Sequence, residues 1–454
     1  MLKQENQGLA ESRVPSKDLL VEEEHMKIAI INCPVRTDAP ANNVPLGIYF
    51  VGASIKRAYP DAEVKYIDLN LYRPEITLAQ AADKIPDADL YMISGLITTY
   101  KWQKAICNII RTNHPGKLII SGGGLASNIG PELRGWIGCD SVAIGEGEYI
   151  APAIVAHAEV GHLREMYKSA PPAINDLPDF PWDDVVGIHN YIQNSIWGED
   201  AKNSSATPFE MKRSINIVAS RGCPFSCRFC SRQMLGGRKY RAKPGVDLAK
   251  EVLALVEKYN LDFVGLTDDN FVANAENARA FARAIGGKVK WGCHSRFDEM
   301  DDPELLRDFR DGGCVYVGFG GESANKDILE DMHKQNDPEQ MARVLGMCRL
   351  AGIHPNSTWI HSWPGETREQ LRETAKFILR YAPENKSMFA ATAYPGTGLW
   401  DDVKMLVLEK FGSTEKYVEQ LGDATKNIIN FSGMSGGEFD EVRGYIEAGE
   451  LEKI

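Results

Sequence analysis

No apolar run in this chain approaches the roughly 20 residues a membrane-spanning helix needs, so no span is expected. The amino terminus also lacks the basic start and apolar core of a secretory signal. Residues 1–26 are polar, ending near Glu22, Glu23 and Glu24, and read as a flexible or weakly helical extension of a cytoplasmic protein. Positive charge is in deficit. The 51 Lys and Arg face 63 Asp and Glu, a net charge of −12 over 454 residues. Phosphate neutralisation needs a basic surface, so a general nucleic-acid binder is not expected. Cysteine is scarce: nine residues are too few and too scattered for a disulfide scaffold of this size. What remains is ordinary, with 43% hydrophobic and 25% charged residues, which excludes a disordered or collagen-like chain. At about 100–200 residues per domain, the length allows roughly two to four domains.

Short apolar runs alternate with helical patterns from 27 to 158. Strands are expected at 27–32, 63–68, 90–94, 117–121 and 141–144, and a helix at 47–59, where Ile48, Val51, Ile55 and Ala58 recur near one face. Such alternation predicts an α/β domain with a parallel, doubly wound sheet. Ligands bind such sheets at the carboxyl ends of the strands. Three loops there stand out: 94–100 (SGLITTY), 121–127 (SGGGLAS) and 145–148 (GEGE). Residues 159–211, rich in Pro and Asp, read as a connector, and their aromatics Phe180, Trp182, Tyr191 and Trp197 are expected to pack on the domains they join. A second series follows in 212–399. Its strands are expected at 214–219, 263–267, 289–294, 316–320, 356–360 and 387–392. Six such units fall short of a full eight-unit barrel and predict a partial (βα)6 barrel. Residues 400–454 read as a small helical tail.

Cys223, Cys227 and Cys230 cluster in SRGCPFSCRFCSR, directly after the first barrel strand. A structural zinc site usually takes four ligands, and no Cys or His lies between 231 and 244 to supply a fourth. Three thiolates on a four-iron cluster leave one iron open. The other six cysteines read as buried thiols. His294 and His361 lie at the ends of the third and fifth strands of this series, where a structural role outweighs a catalytic one. Tyr316 and Tyr394 are candidates for stabilising a substrate radical, with packing as the rival. The basic stretch Arg238, Lys239, Arg241 and Lys243 reads as a solvated face, or as a contact for a cofactor phosphate or acidic substrate.

At the cysteine motif the chain resembles the radical S-adenosylmethionine (SAM) superfamily. The resemblance implies a [4Fe–4S] cluster on Cys223, Cys227 and Cys230 whose open iron chelates SAM, with Phe229 packing near the adenine. Reductive cleavage would then give a 5′-deoxyadenosyl radical. Further segments match in order: Asp268 and Asp269 in DDNF, Arg296 in HSRFD, Glu322 and Ser323 in GGES, then PGET at 364–367 and YPGT at 394–397. The resemblance assigns Asp268, Asp269, Arg296, Glu322 and Ser323 to SAM. Ser362 departs from it, since relatives often carry Gly before PGET. The first domain resembles the cobalamin-binding domain of class B members. That implies corrin contacts from Ser121, Gly122, Gly123, Gly145, Glu146 and Gly147, with Leu96, Thr98 or Tyr100 beneath the corrin. No D-x-H-x-x-G motif is present, so no His ligand to cobalt is expected from it. The activity implied is cobalamin-dependent methyl transfer from SAM to an unactivated carbon, in a peptide or protein such as methyl-coenzyme M reductase among other substrates. An external donor of flavodoxin or ferredoxin type would supply electrons. The alternatives are a non-methylating tetrapyrrole cyclase or lipid-modifying relative, and a cobalamin- or redox-sensing binding protein.

Overall fold

The computed structural model describes residues 25–35, 41, 43–73, 75–171, 173–193, 211–385, 388–422 and 429–454. Most of the expected amino-terminal extension and Trp197 of the connector therefore lie outside the described residues. The first sheet comprises β1 (Lys27–Asn32), β2 (Glu63–Asp68), β3 (Leu90–Gly95), β4 (Leu118–Gly122), β5 (Ser141–Ile144) and β6 (Met166–Lys168). All pairs are parallel, in the order β2-β1-β3-β4-β5-β6. Helices cover both faces, so strand residues are buried alternately in two different cores. Ile28, Ile30, Leu90 and Met92 enter one, and Ala29, Ile31, Tyr91 and Ile93 the other. That double burial is why KIAIIN is continuously apolar. The sixth strand comes from the segment read as connector. Only Tyr167 of its three residues is buried, too short a pattern to show period two.

The second sheet is also parallel and six-stranded. It comprises β7 (Ser214–Ile217), β10 (Phe263–Leu266), β11 (Lys290–Ser295), β12 (Cys314–Glu322), β13 (His354–His361) and β14 (Met388–Ala390), in the order β14-β13-β12-β11-β10-β7. This is the open, partial barrel expected. Between β7 and β10 a small hairpin, β8 (Ser220–Arg221) with β9 (Arg241–Ala242), brackets the cysteine loop.

The connector wraps back across both domains. Tyr191 donates to the buried Asp68 at the end of β2, and the Tyr49 hydroxyl accepts from the Val186 amide at 3.1 Å. Lys56 meets Asp184 at 2.7 Å, while Lys258 of the barrel reaches Asp183. Tyr191, Ile192 and Val185 thereby join the core of the first sheet to barrel residues Ile215 and Val264. The tail returns to the first domain: Tyr100 donates to Glu415, which also pairs with Lys104 at 3.0 Å. Among the described residues no helix is long and apolar enough to cross a membrane.

Candidate active site

The chain leaves β1 toward β2 on one side and β3 on the other, so the crevice between β1 and β3 is the topological switch point of the first sheet. Over it stands Leu96, 54% exposed. Thr98 beside it is half-buried. The loops after β3 and β4 touch: Gly123 has φ +75°, and a Cβ there would lie 2.8 Å from Ser94 Oγ and 3.0 Å from the Gly95 carbonyl. Gly123 thus serves loop-to-loop closure before any ligand.

Three residues expected at the corrin carry bonds within the protein. Tyr100 is 1% exposed and committed to Glu415, because the helix it opens packs under the tail. Ser121 is fully buried and donates to Gln103 at 2.7 Å. Glu146 places both carboxylate oxygens on Arg241, across the domain boundary.

The cysteine loop is held from several sides. The Cys223 amide donates to the Gly237 carbonyl at 3.2 Å, and the Arg228 amide to the Met332 carbonyl at 3.0 Å. Arg228 also pairs with Asp331 at 2.6 Å and with Asp402. Phe229 meets Trp363 edge-on, centroids 6.2 Å apart, and Trp363 donates to Asp331 at 2.6 Å. Arg296 is buried over the Phe225 ring, 3.7 Å from its centroid, with Nη1 4.0 Å from Cys227 Sγ. It donates to Asp298 at 2.9 Å and to the Lys334 carbonyl at 2.6 Å. Arg296 therefore braces the cysteine loop rather than standing open for a carboxylate.

Other expected SAM contacts also carry structural bonds. Asp268 accepts from Ser220 and from the Ala219 amide, and burial raises its carboxyl to about 6 against those bonds. Asp269 lies 3.3 Å from the exposed Arg232. Glu322, at φ +66°, pairs with the buried Lys334 at 3.1 Å. Ser323 bonds Thr374 at 3.1 Å and accepts from the Asn325 amide. Tyr316, a candidate radical residue, sits at the amino end of β12 in a cluster with Phe263 and Met211, at the wrong end of the strand for the strand-end site. Tyr394 lies in the loop after β14, half-buried. His361 ends β13 with Nδ1 2.8 Å from Ser362 Oγ, and burial lowers it to about 4. Ser362 has φ +64°, a conformation glycine adopts freely and other L-residues resist.

Two family models match in order: the B12 binding domain over residues 33–155 and the radical SAM superfamily over residues 217–378, together more than half the chain. The chain belongs to the cobalamin-binding radical SAM enzymes. Its cofactors are accordingly a [4Fe–4S] cluster, SAM and cobalamin. This enzyme is 26% identical over 83% of its length to an uncharacterized methyltransferase of Pyrococcus horikoshii, of which it covers 83%. It is 24% identical over 84% of its length to the bacteriochlorophyllide d C-8(2)-methyltransferase of Chlorobaculum tepidum, covering 81% of it. The anaerobic magnesium-protoporphyrin IX monomethyl ester cyclase of Cereibacter sphaeroides is 25% identical over 74% of the chain, which spans 52% of that protein. In fold, the enzyme is similar to the radical SAM methyltransferase TsrM from Kitasatospora setae, with a TM-score of 0.62 at 14% identity, covering 85% of this chain and 75% of that one.

The residues present fit a cluster. Among the described residues no three His, Cys, Asp or Glu side chains converge on a single metal ion. A four-iron cluster instead takes each thiolate on a different iron. Cys223, Cys227 and Cys230 are each partly accessible on one loop, whereas the other six cysteines are buried. Burial pushes the Cys230 thiol up to about 11 and raises Cys223. Sequence reasoning missed the partners that build the site: Arg221, Arg241, Lys334 and Glu148. Arg241 stood inside a basic stretch read as a solvated face or as a contact for a cofactor phosphate or acidic substrate, and nothing local showed that it turns inward to a carboxylate of the first domain.

Glu366 of the PGET turn accepts the Ser362 and Trp363 amides at 2.7 and 3.3 Å, and among the described residues its other oxygen has no partner. Burial raises its carboxyl from 4.5 to about 8. The folded chain binds this proton more tightly than the unfolded chain, so its contribution to stability falls as pH rises between about 4.5 and 8. Glu366→Gln, which keeps an acceptor for both amides, should remove that fall. Thermal melts at about pH 6 and about pH 8.5 check it; a variant that loses as much stability as the parent contradicts the assignment.

Proposed function

We propose that this enzyme transfers a methyl group from SAM, by way of cobalamin, to an unactivated carbon of its substrate. The observation that carries this reading is that the strand-end loops of the first domain meet the cysteine hairpin of the barrel: Glu146 holds Arg241, and Glu148 holds Arg221 at 2.8 Å. These pairs hold the first-domain loops against the hairpin that carries the cysteines. When bound, the cluster with SAM supplies the radical and cobalamin supplies the methyl group. The chain's own residues position and shield these groups. Cys223, Cys227 and Cys230 would hold the cluster, braced by Arg296. Phe229, fixed against Trp363, would flank the adenine, with Asp269 and Glu322 near the rest of SAM. Leu96, Gly122, Gly145 and Gly147 would line the corrin crevice, with Leu96 or Thr98 beneath the ring. His361, kept neutral by burial and bonded to Ser362, would stand at the barrel mouth as an uncharged polar group. A flavodoxin- or ferredoxin-type protein would deliver electrons. The substrate class extends to peptides, proteins such as methyl-coenzyme M reductase, and tetrapyrroles, the last favoured by the named Chlorobaculum relative.

A second reading is ring formation without methyl transfer, favoured by the similarity to the Cereibacter cyclase. Anaerobic reconstitution with hydroxocobalamin, a reductant and methyl-labelled SAM separates the two. Methyl transfer gives both S-adenosylhomocysteine and 5′-deoxyadenosine, with label passing to cobalamin. Production of 5′-deoxyadenosine alone, with cobalamin unlabelled, overturns the methyltransferase reading.

A further inference from the structure

The Gly-Glu-Gly-Glu loop after β5 has two faces. Its glycines Gly145 and Gly147 lie at the strand ends where the first domain takes its ligand. Its carboxylates reach into the barrel. Glu146 grips Arg241 with both oxygens, and the two side chains are 1% and 4% exposed. Glu148, 3% exposed, takes Arg221, whose guanidinium also lies 4.9 Å from the Phe50 ring centroid of the first domain. Arg221 ends β8 and Arg241 begins β9, so each strand of the hairpin carries one clamp. The neck between the clamps and the cysteines is stiff. Gly222, at φ +76°, is packed so closely that a Cβ would press on the carbonyls of Lys239, Gly236 and Gly237. Arg241 also donates to the Gly236 carbonyl at 3.2 Å, and Ser220 and Ala219 are pinned to Asp268. A displacement of the β5 loop is therefore carried to Cys223 with little slack.

We infer that Glu146 and Glu148 are positioning residues that register the cysteine-bearing hairpin against the cobalamin loop, so that filling the first domain orders the hairpin. The inference rests on the cobalamin-binding reading of that domain. Two ion pairs on consecutive strands, Glu146–Arg241 buried and doubly hydrogen-bonded and Glu148–Arg221 singly bonded with its carboxylate buried, exceed what packing alone would need, since apolar residues of similar size serve stability as well or better. Coupling of this kind is reciprocal: if cobalamin orders the hairpin, an ordered hairpin tightens cobalamin.

The test is amide hydrogen exchange across residues 220–242 in the full-length, cluster-loaded chain, with and without hydroxocobalamin. In the parent, exchange is expected to slow about tenfold when hydroxocobalamin binds. In the paired variant Glu146→Gln with Arg241→Gln, which leaves no buried charge alone, the response should vanish while visible absorbance still reports bound corrin. Glu148→Gln, a milder change, should lose part of the response and decides the matter if the paired variant does not fold. A parent hairpin indifferent to bound hydroxocobalamin overturns the inference, as does an undiminished response in the variants. No corrin binding by the parent would instead defeat the reading on which the inference rests.

Discussion

Replacing Cys223, Cys227 and Cys230 together by Ala is expected to abolish 5′-deoxyadenosine formation. Anaerobically reconstituted parent should carry about four irons and four sulfides per chain, and the triple variant essentially none. The loss should be chemical and not structural. The three side chains are partly accessible and form no disulfide. The loop's fixed points are backbone bonds, such as the Cys223 amide to Gly237, and side chains other than the thiols. Circular dichroism and melting temperature should therefore stay near those of the parent. Retained 5′-deoxyadenosine production in the folded triple variant would remove the radical mechanism.

Filling the corrin crevice from the protein side should separate the half-reactions. Gly122→Phe is the suitable change. A Cβ at Gly122 would meet Ala143 at ordinary distances, 3.6 Å to its Cβ and 3.9 Å to its carbonyl, and the Gly122 backbone is extended. At Gly123 the same bulk would break the closure against Ser94 and Gly95, confusing ligand loss with loop damage. The Gly122→Phe chain is expected to lose at least about a hundredfold in hydroxocobalamin affinity, a penalty of about 3 kcal/mol from steric exclusion. It should still load iron and sulfide and still cleave SAM. Absorbance titration measures the first, and product analysis the second. Parent-like affinity would place the corrin away from β4.

Much of this was legible before any coordinates. β1, β2 and β5 lie where they were expected; in β1 and β5 double burial in a parallel sheet writes continuous hydrophobicity into a short segment, whereas the edge strand β2 alternates along EVKYID. The cysteine motif was legible because three metal-competent thiols in eight residues have few other uses. β6 was not, since a three-residue edge strand with one buried side chain carries no period. Glu146, Ser121, Tyr100 and Asp268, assigned to the corrin or SAM by resemblance, carry bonds within the protein that no sequence pattern showed. A carboxylate or hydroxyl at a strand end is available to a ligand only if no neighbour has already taken it.

By itself, then, the chain's pattern determined the two parallel sheets, their order along the sequence and the identity of the cluster loop, all properties encoded by local periodicity and spacing. Only the tertiary structure decided how the domains face one another. The pairs Glu146–Arg241 and Glu148–Arg221 join residues 95 and 73 positions apart. Charge complementarity at that separation leaves no local trace: nothing beside either partner in the sequence points to the other. Its meaning appears only when the connector folds back and burial makes each charge depend on the other.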